Sequence, residues 1–159
     1  MEYCDKGNIY SVQSQRENAI FDFKECIHII KSVLDGLSHI HSKNLIHRDI
    51  KAENILLLTD PKKVEPYGYL TKICDLGFCR EDDDNVNTFC GTTSYMAPEI
   101  FRKSVYCHKV DIWAVGVMMF KMLFGDFPFK SRSYYMKVSI WNMKLTLNVI
   151  KVLISKRLR

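Results

Sequence analysis

The stretch Val110–Phe124 constrains the fold most. Twelve of its 15 residues are apolar, and they fall on every side of a helix. A helix of that kind needs cover all round, which puts it in the middle of a protein core. It is too short for a bilayer and carries Asp111 and Lys121, so it does not read as a membrane span. Gly125-Asp126-Phe127-Pro128 ends it.

A longer helix is expected over about Asn18–Ser42. There Ile20, Phe23, Ile27, Ile30, Val33/Leu34, Leu37 and Ile40 recur at three- and four-residue steps and make one apolar stripe. Ahead of it, Met1–Cys4 reads as the end of a strand, Asp5-Lys6-Gly7-Asn8 as a turn, and Ile9–Gln13 as a short helix. Ile55–Leu58 and Leu70–Cys74 are short apolar runs separated by turn residues, which predicts a hairpin with a long loop. Arg80–Asn87 is polar and acidic and reads as a loop.

The chemistry-bearing residues fall at the joints between these elements. His47-Arg48-Asp49-Ile50-Lys51-Ala52-Glu53-Asn54 links the long helix to the first strand. Asp75-Leu76-Gly77 follows the second strand, with Asp75 twenty-one residues past Asn54. Two carboxylates and a carboxamide at the ends of neighbouring elements form an oxygen-rich set. Mg²⁺ favours such a set, with one or two carboxylates beside phosphate oxygens, and phosphoryl transfer needs a further polar group to orient the attacking hydroxyl.

The first segment resembles the catalytic loop of eukaryotic protein kinases, H-R-D-L-x-x-x-N, with Ile50 for Leu. The Asp75 triplet resembles the D-F-G motif with Leu76 for Phe. Gly91-Thr92-Thr93-Ser94-Tyr95-Met96-Ala97-Pro98-Glu99 is similar to the end of the activation segment, which closes with A-P-E. Asp111-Ile112-Trp113-Ala114-Val115-Gly116 looks like the start of the family's central buried helix, and Met1-Glu2-Tyr3-Cys4 like the hinge strand that touches adenine. Five motifs in order cover residues 1–129. The fold class this implies is mainly α: a kinase C-terminal lobe with a short β-hairpin near the catalytic loop, and with the N-terminal lobe absent from the chain.

The same resemblance implies roles. Asp49 would accept or orient the substrate hydroxyl proton, and Lys51 would neutralise the transferring phosphoryl group. Asn54 and Asp75 would hold Mg²⁺. Glu2 and Cys4 would offer backbone groups to adenine, Asn8 would fall near the ribose, and Leu56 would floor the adenine site. Cys74 should face the nucleotide pocket. Lys51 and Thr92 point to the serine/threonine class. Arg48 and Thr88 form an expected regulatory pair, in which a phosphate on Thr88 would meet the Arg48 fork. His47, Gly77, Glu99 and Asp111 are expected to be structural, Asp111 as a helix N-cap, a place compatible with the family role of holding the catalytic-loop backbone. The implied activity is transfer of the ATP γ-phosphate to Ser/Thr of protein substrates, with ATP and Mg²⁺ as cofactors. A non-catalytic docking module is the alternative. No G-x-G-x-x-G occurs in the chain, so half of the cleft has no counterpart in it.

Other features read more simply. His39 and His41 fit a helix C-terminus rather than a metal site, and Glu81–Asp84 fits a solvated loop. Six cysteines without regular spacing, and no apolar run behind Met1, suggest a reducing, cytoplasmic or nuclear compartment. The net charge of +5 is concentrated at one end. Residues 130–159 hold eight Lys/Arg and no Asp/Glu, whereas the rest nets −3. No nucleic-acid surface is therefore expected. The basic tail is read as sequence outside the family, an out-of-frame or intron-derived end. Its alternatives are an amphipathic helix over the core or a membrane-surface helix.

Overall fold

The computed structural model describes residues 3–59, 67–83 and 86–129. The expectations for Glu2, for the hairpin loop between Asp60 and Pro66, for Asp84 and for the tail at 130–159 lie outside the described residues. The chain divides into two units, 1–128 and 129–159, and the architecture below is that of the first.

The expected turn closes with Gly7 N–H donating to the Cys4 carbonyl, with Gly7 at φ 72°. Helix α1 follows over Ile9–Ser14. Its start is a capping box: Asn8 Oδ1 accepts from Ser11 N–H, and Ser11 Oγ accepts from Asn8 N–H. Gln13 is buried and its Nε2 donates to the carbonyls of Ala19 and Lys121, which ties α1 to a helix 108 positions on.

Helix α2 runs Phe23–Ser42, five residues shorter at its start than the apolar spacing predicts. Asn18 and Ala19 both take positive φ, so the chain turns there, and Asp22 then caps the helix by accepting from Lys24 N–H at 2.8 Å. The buried face is also displaced. Cys26, Ile29, Ile30, Val33 and Leu37 are covered, whereas Ile20 and Leu34 are exposed.

Two small antiparallel sheets carry the loops of interest. Strand β2 (Ile55–Thr59) pairs with β3 (Tyr69–Ile73), with Ile55 opposite Ile73, as the hairpin reading expects. Strand β1 (Leu45–Ile46) pairs with β4 (Arg80–Glu81), inside a stretch read from sequence as loop. A two-residue ladder is too short to leave a period-2 pattern. The fold is thus a mixed helical domain with a small antiparallel component.

Helix α3 spans Pro98–Phe101, and α4 spans Lys109–Phe124. Gly125, at φ 77°, closes α4 by donating its N–H to the Lys121 carbonyl. Val110, Ala114, Val115, Val117, Met118, Met119 and Met122 are buried, but among the described residues Ile112 and Phe124 remain exposed. The expectation of a helix covered on every side therefore holds only in part. No described helix is long and apolar enough to cross a membrane.

Candidate active site

The loop between β1 and β2 is fixed from beneath by α4. Asp111 is buried in the first turn of that helix, and its two oxygens accept the N–H groups of His47 and Arg48, each at 2.9 Å. The N-cap position belongs to His108, so Asp111 is not the cap of this helix. His41 adds a third bond, with Nε2 2.8 Å from Asp111 Oδ2. These bonds hold Arg48 at φ 69°, a left-handed conformation that costs a non-glycine residue free energy. His47 is fully buried. Its Nε2 faces the Cys74 carbonyl at 3.1 Å and its Nδ1 accepts from Asp49 N–H, which places the ring proton on Nε2.

That bracing presents Asp49 to a cluster of donors. Lys51 Nζ lies 2.6 Å from Asp49 Oδ2 and also donates to Thr92 Oγ1 at 3.1 Å. Thr92 gives both its N–H (3.0 Å) and its hydroxyl (2.9 Å) to Asp49 Oδ1. Asn54 Nδ2 reaches the Asp49 carbonyl at 2.9 Å and Oδ2 at 3.1 Å. Burial pushes the Asp49 carboxyl up, but Lys51 and Thr92 outweigh it and hold it below the ordinary carboxylate value. Asp49 is thus a fixed anion.

Asp75 is brought to the same end of the hairpin. Cys74, beside it, donates its N–H to the Asn54 carbonyl at 2.9 Å and its thiol to the same oxygen at 3.3 Å. Asp75 is exposed, has φ 62°, and accepts from Gly77 N–H at 3.3 Å. Burial and the Asp75 charge push the Cys74 thiol up. Asn54 and Asp75 suit a hard divalent cation. Asn54 has its amide nitrogen committed to Asp49, which leaves a carbonyl oxygen, and Asp75 keeps Oδ2. Among the described residues no trio of His, Cys, Asp or Glu could hold a metal unaided.

The remaining sequence candidates are distributed around this centre. Leu56 sits on β2 and bridges to Asn8, whose side-chain oxygen is engaged in capping α1. Cys4 is half-buried beside the turn that joins this ladder. Thr88 is exposed, and its carbonyl accepts from the Tyr106 hydroxyl at 2.7 Å. Arg48 donates Nε to the Phe78 carbonyl at 2.5 Å, while its buried Nη1 has no hydrogen-bond partner. Glu99 stands in the first turn of α3 and, among the described residues, pairs with no basic side chain. Sequence reading missed His41 and Tyr106. An aromatic or imidazole side chain in an ordinary helix or loop carries no local signal of a partner some 20 or 70 positions away.

The protein kinase domain model matches residues 1–156, a span that enters the stretch expected to fall outside the family. The serine/threonine-protein kinase ste20 of Emericella nidulans is 37% identical over 136 residues, 84% of this chain and 15% of that protein. The serine/threonine-protein kinase pakA of Talaromyces marneffei is 37% identical over 136 residues, 84% of this chain and 20% of that protein. The serine/threonine-protein kinase CLA4 of Candida albicans is 36% identical over 132 residues, 81% of this chain and 13% of that protein. The chain therefore spans a fifth or less of the length of these relatives.

Proposed function

Since this chain belongs to the protein kinase domain family, we propose that it forms the C-terminal, substrate-side lobe of a serine/threonine kinase acting on proteins. The observation that carries this reading is the clasp on Asp49: one carboxylate held at both oxygens by Lys51, Thr92 and Asn54. An anion so held orients a substrate hydroxyl toward an in-line phosphoryl group, and its lowered pKa makes it a weak proton acceptor until late in the transfer. Lys51 stands against the same carboxylate, where its ammonium also meets charge developing on the transferred group. Asn54 and Asp75 would hold the cation. Mg²⁺–ATP, when bound, supplies the phosphoryl group and neutralises the charge on its oxygens. Cys4, Asn8 and Leu56, which neighbour one another around the Asn8–Leu56 bridge, would line the adenosine end, as would Glu2.

Thr88 is proposed as a phosphorylation site read by Arg48, whose buried Nη1 lacks a partner. A phosphate adds the acceptor oxygens that such a guanidinium can bind. Activity of the phosphorylated protein that is indifferent to Arg48→Ala would remove this assignment.

The chain contains no glycine-rich loop, so the test uses the full-length protein. It should transfer labelled phosphate from Mg²⁺–ATP to Ser/Thr peptides and not to Tyr peptides. Asp49→Asn should lower the rate by roughly 10²–10⁴-fold. An Asp49→Asn protein as active as the parent would overturn the proposal.

A further inference from the structure

Between β4 and α3 the chain passes residues 86–92, and one residue from the segment preceding α4 grips it at alternate positions. Tyr106 donates its backbone N–H to the Val86 carbonyl at 2.9 Å and its hydroxyl to the Thr88 carbonyl at 2.7 Å. The hydroxyl also lies 3.9 Å from Cys90 Sγ. The ring is anchored: Tyr106 is buried in a cluster with Ile46, Val86, Met96, Ile100 and Val110. Directly after the gripped residues, Gly91 packs against the Arg48 carbonyl and Thr92 bonds Asp49 with both its N–H and its hydroxyl.

We propose that Tyr106 is a positioning residue, whose hydroxyl holds the 86–92 segment so that Thr92 meets Asp49 without any charge on Thr88. The bond goes to a main-chain carbonyl, so it is independent of the Thr88 side chain and of its modification. Burial pushes the Tyr106 phenol up, with the Arg48 guanidinium opposing, so the hydroxyl keeps the proton it donates. The segment then has two supports: a permanent one through Tyr106, and a switchable one if a phosphate engages Arg48. A kinase built this way retains a basal rate when unphosphorylated. This rests on the kinase reading only for its consequence in rate, because the Thr92 amide reports the geometry directly.

The test compares phosphatase-treated full-length protein with its Tyr106→Phe variant, which keeps the ring in the core and removes only the hydroxyl. Loss of one hydrogen bond of ordinary strength implies about two- to tenfold faster exchange of the Thr92 amide, with the amides of Val117 and Met118 in α4 unchanged. At unchanged KM for ATP, kcat should fall by a similar factor. Thr88→Ala, which leaves the carbonyl in place, should leave Thr92 exchange as in the parent. Unaltered Thr92 exchange in Tyr106→Phe overturns the proposal, as does faster exchange with an unaltered kcat. A parent protein with no transferase activity counts against the kinase reading, and the exchange arm then decides the role of Tyr106 alone.

Discussion

Replacing Asp111 should destabilise the domain more than any exposed carboxylate could. Its side chain is 1% exposed and accepts three hydrogen bonds, from His47 N–H, Arg48 N–H and His41 Nε2. In Asp111→Ala the two main-chain donors lose their acceptor. A buried unsatisfied donor costs about 1–3 kcal/mol, so the pair costs about 2–6 kcal/mol, a large part of the 5–15 kcal/mol typical of a domain. Arg48 also loses the restraint that keeps it at φ 69°, and relief of that strain offsets about 1–2 kcal/mol. The net expectation is a loss of about 2.5 kcal/mol. Asp111→Asn retains one acceptor oxygen and turns an NH₂ toward the other amide, so it should cost about half as much. Urea unfolding followed by Trp113 fluorescence, in a Trp141→Phe background, reads the difference. Trp113 lies two residues from Asp111 and packs against the cluster around Ile46. A loss below about 0.5 kcal/mol for Asp111→Ala, the range of ordinary surface substitutions, would refute the reasoning.

Gly91→Ala should both destabilise the domain and displace Thr92. Gly91 sits at φ +96°, and a Cβ there would collide with the Arg48 carbonyl oxygen, which is main chain and cannot rotate aside. A stability loss above about 2 kcal/mol is expected, and a neutral Gly91→Ala would show that the segment is not held against the loop. The Asp49 carboxyl gives a pH test. Its value in the folded protein lies below the ordinary 3.8, because Lys51 and Thr92 outweigh burial. Its contribution to stability is therefore complete above that ordinary value and is lost as pH falls through the lower folded one. Lys51→Met leaves burial less opposed, so ¹³C NMR should find Asp49 titrating higher; an unmoved titration would mean that Lys51 does not set it.

The sequence revealed most where one residue type has few substitutes. The loop His47–Asn54, the Asp75 triplet, the Gly91–Glu99 run and the apolar α4 are contiguous, and each announces its place. Contacts made by common residues across long separations were hidden. His41 to Asp111 spans 70 positions and Tyr106 to Thr88 spans 18. Conformation was also poorly legible where non-glycine residues take positive φ. Asn18 and Ala19 cut the start of α2, and Arg48 bends the catalytic loop only because Asp111 holds it there. Asp111 also read as a cap, since it stands in the first turn and the cap position depends on where the helix begins; that position falls to His108, which pairs with Asp82 at 2.6 Å.

The central claim is that Asn54, which bonds the clasped Asp49, and Asp75 together hold a divalent cation for phosphoryl transfer. Crystals of the full-length protein grown with Mn²⁺ and a non-hydrolysable ATP analogue test it most directly through the manganese anomalous signal. The account predicts a peak about 2.1 Å from Asn54 Oδ1 and from an Asp75 carboxylate oxygen. An ordered nucleotide whose manganese lies away from both residues would contradict it.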